Sequence, residues 1–405
     1  MQFLFLHQNF PGQFLHLVRQ LVAENRHDIV FLTEPNANVM AGVRKVPYVV
    51  EGSSAGAHPV SREFDNAARR AEAVARTCAG LKQLGFTPNI VIGHHGWGEM
   101  LNIRDVWADV PMLGYFEFFY QLEGADVGFD PEFPVAAADH ARIRAKNATN
   151  LLALQLGAAG QTPTDWQLST YPAWARQSIT VLREGVDLDT CRPNPAARTQ
   201  ALEIGGAVIA PSDALVTYVS RDLEPYRGFH VMMRALPQIL RENARARVVL
   251  VGGDGVSYGA APASGTWRAL FTRELGAAFD ADRVLFPGRI PYTTYLRLLQ
   301  RSDAHVYLTY PFVASWSLRE ALAMGCAVIA SDTPPVREFV AHERTGLLTS
   351  FFDPAALACH VLRVLEDRGL ASSLGRAARA YAETNLSMAD YLAAYGGLIA
   401  RMTAA

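Results

Sequence analysis

The chain has 405 residues, of which 50% are hydrophobic and 19% charged, and its formal net charge is −2. This composition excludes a disordered chain, and the weak net charge argues against nucleic acid as the main partner. The length predicts two domains of about 200 residues each. No apolar run approaches the roughly 18 residues that a membrane-spanning helix needs.

Strand and helix signals alternate through the first third of the chain, which predicts a parallel sheet. Phe3–Leu6 is expected to be the first strand, not part of a signal peptide. A Pro-Gly turn at Gly12 then opens a helix. Asn89–Gly93 predicts a further buried strand, which places His94 and His95 at its carboxyl end. Ligands of open α/β sheets collect at this edge, so His94 is a candidate substrate contact and His95 a weaker one. A histidine of the core is the alternative.

Acidic residues follow later in the first half. Glu117 has apolar neighbours, so it is either a residue of an acceptor site with a raised pKa or the partner in a structural hydrogen bond. Asp187-Leu188-Asp189 has the D-x-D spacing of some metal-dependent sugar transferases, but its position after a strand and Gly185 favours a structural turn. His, Cys and Asp residues at ligand spacing are missing beside His94, so no metal site is predicted. The polar, Ala-rich stretch 193–213 is interpreted as the linker between the domains.

The second half begins with a predicted strand, Leu215–Val219, and a loop that carries Arg221 and Arg227. Arginine offers a planar set of donors that suits phosphate oxygens, so the pair is a candidate diphosphate site. The alternative is weak surface ion pairs with Asp222 and Glu224. Further strands and helices lead to residues 310–338, where a strand end, an irregular loop and a helix from Ser317 are predicted. A loop that leads into a helix N-terminus presents backbone N–H groups and a positive dipole end to an anion.

This stretch resembles a known family. Its Glu-Ala-x-Ala-x-Gly-x-x-Val-Ile-Ala-Ser-Asp run, which starts at Glu320, is similar to the donor-site signature of the family 4 glycosyltransferases, the retaining group with the GT-B fold. One departure is clear: the family carries a second glutamate eight residues before this one, where the present chain has Phe312. The segments around Arg221–Arg227 and His94 resemble the family as well. In the Arg221–Arg227 segment, the second cation is Arg227 where the family has lysine, and the gap between the two cations is one residue longer.

The resemblance implies a doubly wound α/β architecture, with two Rossmann-like domains facing across a cleft. The implied domains are 1–200, 201–385 and a C-terminal helix, 386–405, that packs back on the first domain. Arg221, Arg227 and His94 would be the catalytic residues. Glu320 would bind the ribose of the donor, unless Ser317 and Glu320 merely form a capping box. The remaining donor-binding residues would be Gly12, Arg289, Ile290, Phe312, Ser315, Trp316 and Ser317. For Arg289 and Ile290 a plain turn, and for Phe312 a space-filling aromatic, are the alternatives.

The predicted function is therefore a glycosyltransferase that moves a sugar from a nucleotide diphosphate sugar to a hydroxyl acceptor. Retention of configuration and independence of metal and other cofactors are expected. The alternatives are a catalytically inactive sugar-nucleotide-binding partner protein and a sugar-nucleotide hydrolase or epimerase. The four cysteines lack CxxC spacing, which predicts reduced thiols in a cytoplasmic protein, with contact at the inner membrane face as an option.

Overall fold

The computed structural model describes residues 1–404. The chain divides into two compact units, the first made of Met1–Glu184 with the segment from Ala389 onwards, and the second of Gly185–Met388. The structure therefore leaves the first unit after Glu184, earlier than the predicted boundary at residue 200. Both units are parallel-sheet α/β units, as predicted.

A seven-stranded sheet forms the centre of the first unit. Its strands are β1 (Gln2–Leu6), β2 (Asp28–Thr33), β3 (Arg44–Pro47), β4 (Ile90–His94), β5 (Met112–Tyr115), β6 (Ala159–Thr162) and β7 (Ile179–Val181). They lie in the order β3-β2-β1-β4-β5-β6-β7, and every neighbouring pair is parallel. The central strands are continuously buried, as expected when helices cover both faces of a sheet.

The connections of the first unit contain seven α-helices. They are α1 (Leu15–Ala23), α2 (Arg62–Gln83), α3 (Ile103–Val106), α4 (His140–Lys146), α5 (Ala148–Gln155), α6 (Asp165–Thr170) and α7 (Ala173–Arg176). The buried face of α2 is formed by small residues and by Val74, Cys78 and Leu81, and it packs against strand residues such as Leu4 and Val91. This packing places the N-terminal half of α2 beside the carboxyl ends of the strands.

The second unit contains a short hairpin and a six-stranded parallel sheet. The hairpin strands are β8 (Leu202–Ile204) and β9 (Ala207–Ile209), and the sheet strands are β10 (Ala214–Asp222), β11 (Ala246–Gly253), β12 (Val284–Gly288), β13 (Ala304–Tyr307), β14 (Val328–Ser331) and β15 (Leu347–Thr349). The sheet order is β12-β11-β10-β13-β14-β15. The helices are α8 (Phe229–Glu242), α9 (Trp267–Leu275), α10 (Tyr292–Arg301), α11 (Trp316–Ala323), α12 (Pro334–Arg337), α13 (Pro354–Glu366) and α14 (Arg368–Asn385).

The stretch 193–213 is not the linker that its composition suggested. It contains a short 3-10 helix, Pro195–Thr199, and the β8–β9 hairpin, whose inward residues Leu202, Ile204 and Ile209 are buried against Leu215 of the sheet. The missed signal was alternation of apolar residues on both sides of the Gly205-Gly206 turn. The stretch is thus part of the second unit.

The last helix, α15 (Met388–Thr403), begins where the chain returns to the first unit. Its residues from Ala389 onwards cluster with that unit, and the buried Tyr395 lies close to Glu184 there. Among residues 1–404 no helix combines the length and the apolar character needed to cross a membrane.

Candidate functional site

In the second unit, Arg221 and Arg227 flank a tight turn, residues 221–228. Strand β10 extends to Asp222, so Arg221 is part of the strand end and not of a loop as predicted. The Arg221 side chain is exposed, whereas Arg227 is 7% exposed and ends a single 3-10 turn, Pro225–Arg227. The two candidate cations thus differ in burial: Arg221 is exposed at the surface and Arg227 is buried.

Arg227 is fixed by the loop that leads into α11, residues 308–315. Its Nη1 donates to Thr309 Oγ1 at 2.7 Å and to the carbonyl oxygen of Val313 at 3.0 Å. The backbone of this loop also reaches the turn, since Tyr310 N donates to Tyr226 O at 3.1 Å. The structure therefore places Arg227 beside the loop that leads into α11, the helix whose N-terminus the sequence predicts as a further anion-binding feature.

A glycine makes this close approach possible. Gly228 has φ +69°, a left-handed conformation, and a Cβ there would lie 2.4 Å from Cβ of Leu308. A side chain at this position would be strained and would also push the 308–315 loop away from the turn.

Tyr258 contacts both arginines, which sequence reasoning did not anticipate. Its ring centroid lies 4.8 Å from Cζ of Arg227 and 6.0 Å from Cζ of Arg221. Glu224 holds the Tyr258 segment in place, because its carboxylate accepts hydrogen bonds from the amides of Ser257, Tyr258 and Gly259. Burial raises the pKa of Glu224, although these three amide bonds and the charge of Arg227 act in the opposite direction.

The predicted alternative was that Asp222 and Glu224 form surface ion pairs with Arg221 and Arg227. It is wrong, because both carboxylates have other hydrogen-bond partners. Both carboxylates are buried. Asp222 binds Nη2 of Arg289 at 2.8 Å and the hydroxyl of Ser257, while Glu224 binds amides. Burial opposes ionisation of Asp222, but these two hydrogen bonds outweigh it and hold its pKa below the usual value.

Helix α11 begins at Trp316, with Ser315 as its N-cap, one residue before the predicted start. The Ser315 amide donates to the hydroxyl of Tyr307 at 2.8 Å, and its side-chain oxygen lies 2.6 Å from that of Ser317. The amides of the first turn of a helix have no intrahelical acceptor, so this end offers N–H donors and a positive dipole end.

Glu320 does not form the capping box that its spacing from Ser317 allowed. Its two carboxylate oxygens accept hydrogen bonds from Tyr292 at 2.8 Å and Tyr295 at 2.7 Å, both on α10. Burial raises the pKa of Glu320, and the tyrosine hydrogen bonds oppose that rise. The two tyrosines therefore fix the carboxylate on the first turns of α11.

Phe312, which stands where the resembled family has a glutamate, is 3% exposed. Its ring packs edge-on against Tyr226, with centroids 5.4 Å apart, and lies 5.3 Å from the ring of Tyr258. The ring of Tyr310 also stacks on that of Tyr226, with centroids 4.7 Å apart. Phe312 thus fills space inside an aromatic cluster, which is the alternative that the sequence left open for it.

Arg289 and Ile290 follow β12. The Arg289 guanidinium, on a side chain that is 69% exposed, closes onto Asp222 at the end of β10. Ile290 is half-buried and packs against two neighbouring hydrophobic clusters, one that includes Leu318 of α11 and one that includes Leu202 of the β8–β9 hairpin. The structure therefore places this segment next to the 221–228 turn.

In the first unit, His94 is the last residue of β4 and is 2% exposed. Its Nδ1 accepts a hydrogen bond from the amide of Gly96 at 3.0 Å, which assigns the proton of the neutral ring to Nε2. Nε2 lies 3.4 Å from Oε2 of Glu117, whose side chain is 30% exposed. The sequence treated these two residues separately, and the structure pairs them.

The pair borders a cavity of about 370 Å³ within the first unit. Its lining includes Arg70 and Glu63 of α2, Trp97, which follows β4, and Tyr120 and Lys146. Sequence reasoning missed this cavity because its walls come from segments that are distant in the chain.

Gly12 and His95 lie close to His94 but not in the cavity wall. Gly12 packs on the ring of His7, which itself lies edge-on to His94 with centroids 5.7 Å apart. Burial, together with a smaller effect of the neighbouring His94, lowers the pKa of His7 and of His95 to about 3 in each case. His95 is fully buried against Phe116, so it is a core residue.

Asp187 of the D-x-D sequence has a structural role. Its side-chain oxygens accept hydrogen bonds from the amides of Asp189 and Thr190 and from the Thr190 hydroxyl. The prediction of a structural turn is confirmed.

Comparison with known proteins gives matches along most of the chain. The model of the glycosyl transferase family 4 group matches residues 25–191, and the model of the glycosyl transferases group 1 matches residues 205–381. A D-inositol 3-phosphate glycosyltransferase of Streptomyces avermitilis is 29% identical over 213 residues, which are 51% of this chain and 44% of that protein. The chain spans about half the length of the curated relatives it matches.

Two solved structures superpose on the whole chain. Sucrose-phosphate synthase from Thermosynechococcus elongatus has a TM-score of 0.74 at 20% identity and covers 100% of this chain and 99% of its own. Anabaena HepE in complex with UDP and glucose has a TM-score of 0.68 at 16% identity, with coverages of 99% and 100%. The fold and the family matches together confirm the resemblance seen in the sequence: the chain belongs to the glycosyl transferases group 1, the glycosyltransferases of the GT-B fold.

Proposed function

We propose that the protein is a glycosyltransferase that moves a sugar from a nucleotide diphosphate sugar to a hydroxyl group of an acceptor. The observation that carries the proposal is the bonding of Arg227 to the 308–315 loop, because it sets a fixed cation beside the N-terminus of α11. Family membership and the UDP and glucose bound to the Anabaena relative support the same reading.

The chemistry follows from the bond that breaks. Cleavage of the bond between the anomeric carbon and the diphosphate leaves positive charge on the sugar and new negative charge on the departing phosphate. Arg221, Arg227 and the amides at the start of α11 are donors for that phosphate, and one preorganised donor of this kind contributes about 3 kcal/mol. Because arginines supply this positive charge, we propose a reaction that needs no metal ion and no other cofactor.

The rest of the donor is assigned to neighbouring groups. Glu320, held by its two tyrosines, accepts hydrogen bonds from the ribose hydroxyls. The backbone of Arg289 and Ile290 lies against the base. The buried Phe312 has no hydrogen-bond acceptor to offer the donor sugar. The sugar therefore makes its polar contacts with Ser315 and Ser317 at the helix start.

The first unit holds the acceptor. His94 carries its ring proton on Nε2, on the side of Glu117, so it is a hydrogen-bond donor toward an acceptor hydroxyl or the transferred sugar. In line with the family resemblance, we propose retention by reaction on one face of the sugar, with the departing phosphate taking the acceptor proton. The thiols of Cys78, Cys191, Cys326 and Cys359 are free, which supports a cytoplasmic enzyme.

The test is a mass-spectrometric screen of UDP-, GDP-, ADP- and dTDP-sugars with the purified chain, combined with binding of the corresponding nucleotide diphosphates. One nucleotide is expected to bind preferentially, and its sugar to be consumed when acceptors are added. Arg221→Ala removes an exposed cation without disturbing the core and should weaken binding of that nucleotide by about tenfold or more.

Arg241→Ala is the matched control, since Arg241 is an exposed arginine at the opposite end of α8. Equal binding by Arg221→Ala, Arg241→Ala and the wild type would remove the diphosphate assignment. Nucleotide binding without consumption of any sugar nucleotide would identify a binding protein, and release of free sugar or an isomer without acceptor would identify a hydrolase or epimerase.

A further inference from the structure

The cavity of the first unit has a lining that restricts the chemistry of its occupant. Besides His94, two carboxylates and two cationic side chains border it, namely Glu63, Glu117, Arg70 and Lys146. Their formal charges cancel, so the cavity has no excess of positive charge with which to attract a phosphate or carboxylate.

Both cations are already engaged. Arg70 Nη2 lies 2.9 Å from Oε1 of Glu34, and its Nη1 donates to the carbonyl oxygen of Trp97 at 2.8 Å. Lys146 Nζ lies 3.9 Å above the ring of Tyr120 and 3.9 Å from Glu63.

One wall is a flat aromatic surface. Trp97 is 38% exposed, and its ring lies nearly parallel to that of His94, with centroids 5.9 Å apart and planes inclined by 26°. The hydrogen bonds from Arg70 to Trp97 O and from Gly98 N to His95 O fix the backbone on both sides of the indole. An exposed indole that is held rigidly suits a ligand with one flat apolar face.

Polar groups surround that indole. Oε2 of Glu117 and Nε2 of His94 lie next to each other, and Gln8, Asn66 and Thr149 add amide and hydroxyl groups to the lining. A pyranose or cyclitol ring matches this combination, because its C–H face packs on an aromatic ring while its hydroxyls donate and accept hydrogen bonds at the rim. An acyl chain would leave these polar groups buried without partners.

We propose that this cavity takes an uncharged sugar or cyclitol ring of the acceptor, stacked on Trp97 with a hydroxyl donating to Glu117. The proposal rests on the proposed function, since it names the substrate class of the acceptor side. It selects neutral rings over their phosphorylated forms.

The test measures acceptor binding alone, by saturation-transfer NMR and competition, without any sugar nucleotide. The neutral probes are methyl α-D-glucopyranoside, methyl α-D-mannopyranoside, myo-inositol and maltose, and the charged probes are glucose 6-phosphate and myo-inositol 1-phosphate. A neutral probe is expected to bind more tightly than its phosphorylated counterpart. Trp97→Ala should weaken that binding by about tenfold, and Trp97→Phe should retain most of it.

Trp174→Ala is the control, since Trp174 is 60% exposed and lies on α7, outside the cavity lining. Unchanged binding in Trp97→Ala, tighter binding of the phosphorylated probes, or failure of every neutral probe to bind would overturn the proposal. Nucleotide diphosphate binding is measured on the same variants. If the wild type binds neutral rings but no nucleotide diphosphate, the result counts against the proposed function alone. If it binds a nucleotide diphosphate but no neutral ring, the result counts against this inference alone.

Discussion

The two units hold their candidate residues in different ways. In the second unit, Arg227, Phe312 and Glu320 are fixed by side-chain packing and by hydrogen bonds to neighbouring elements. In the first unit, Trp97 and Glu117 border an open cavity and are partly exposed. Stabilisation of developing charge requires donors that do not reorganise, whereas recognition of a ligand can rely on partly exposed surfaces. Under the proposed function, the contrast therefore separates a rigid donor side from a more accessible acceptor side.

The largest effect is expected where the rigid side loses its buried cation. Arg227→Met leaves Thr309 and the carbonyl of Val313 without their donor, so we expect unfolding free energy to fall by about 2–4 kcal/mol. Binding of the nucleotide diphosphate should fall by about a hundredfold. Chemical denaturation and calorimetry measure the two quantities. Arg234→Met, which breaks an exposed pair with Glu274, is the control, and a similar loss in both variants would contradict a special role for Arg227.

His94 tests the acceptor side with two isosteric replacements. Asn keeps an acceptor near the position of Nδ1 for the Gly96 amide, and Gln keeps a polar group near Nε2. If Nε2 acts on the substrate, His94→Asn should lower turnover by about a hundredfold and His94→Gln by less. Nucleotide binding should stay at the wild-type level in both. The opposite order, with His94→Asn close to wild-type turnover and His94→Gln low, would indicate that His94 only supports the backbone through Gly96.

The sequence predicted most of what is local. Most strands of the two sheets, the loop before α11 and the convergence of Arg227 on that loop follow from apolar runs, turn residues and a family signature, whereas β3 and β15 were not predicted. The partners of these residues were not predictable from spacing. Glu320 has helical spacing from Ser317, yet it binds tyrosines that lie 28 and 25 residues away. A capping box and a long-range hydrogen bond both require a carboxylate at this position of α11. Only the packing of α10 against α11 decides which of the two forms.

Tyr258 and Trp97 show the same limit for aromatic residues. Tyr258 lies on the two arginines because the buried Glu224 binds three amides of its loop, a contact that no periodicity encodes. Trp97 lies in a segment whose position after a predicted strand points to His94 and not to the indole. The hairpin at residues 202–209 was missed for a local reason. Its strands have three residues each, too few to give a clear strand pattern within an Ala-rich stretch.

Glu320 supplies a smaller effect on the rigid side. Glu320→Gln keeps one acceptor oxygen, so only one of the two tyrosines retains its bond, and we expect a loss of about 1–2 kcal/mol in stability. Affinity for the nucleoside diphosphate should fall by about tenfold, while affinity for inorganic pyrophosphate, which lacks the ribose, should not change. Tyr292→Phe removes a single bond and serves as the control. An equal loss for both ligands would mean that Glu320 acts on the fold and not on the ribose.

The smallest effect concerns the buried histidines below the cavity, and it appears only on acidification. Burial lowers the pKa of His95 to about 3, whereas an unfolded histidine titrates near 6.5. The unfolded state therefore binds more protons between these values, and stability falls as pH decreases from about 6.5, by at most about 1.4 kcal/mol per pH unit for each such histidine. His95→Leu should be nearly neutral at pH 7, because among the described residues neither ring nitrogen of His95 has a hydrogen-bond partner. Between pH 6.5 and 5 its denaturation midpoints should fall less steeply than those of the wild type, and parallel curves would show that His95 contributes nothing to the acid sensitivity of the first unit.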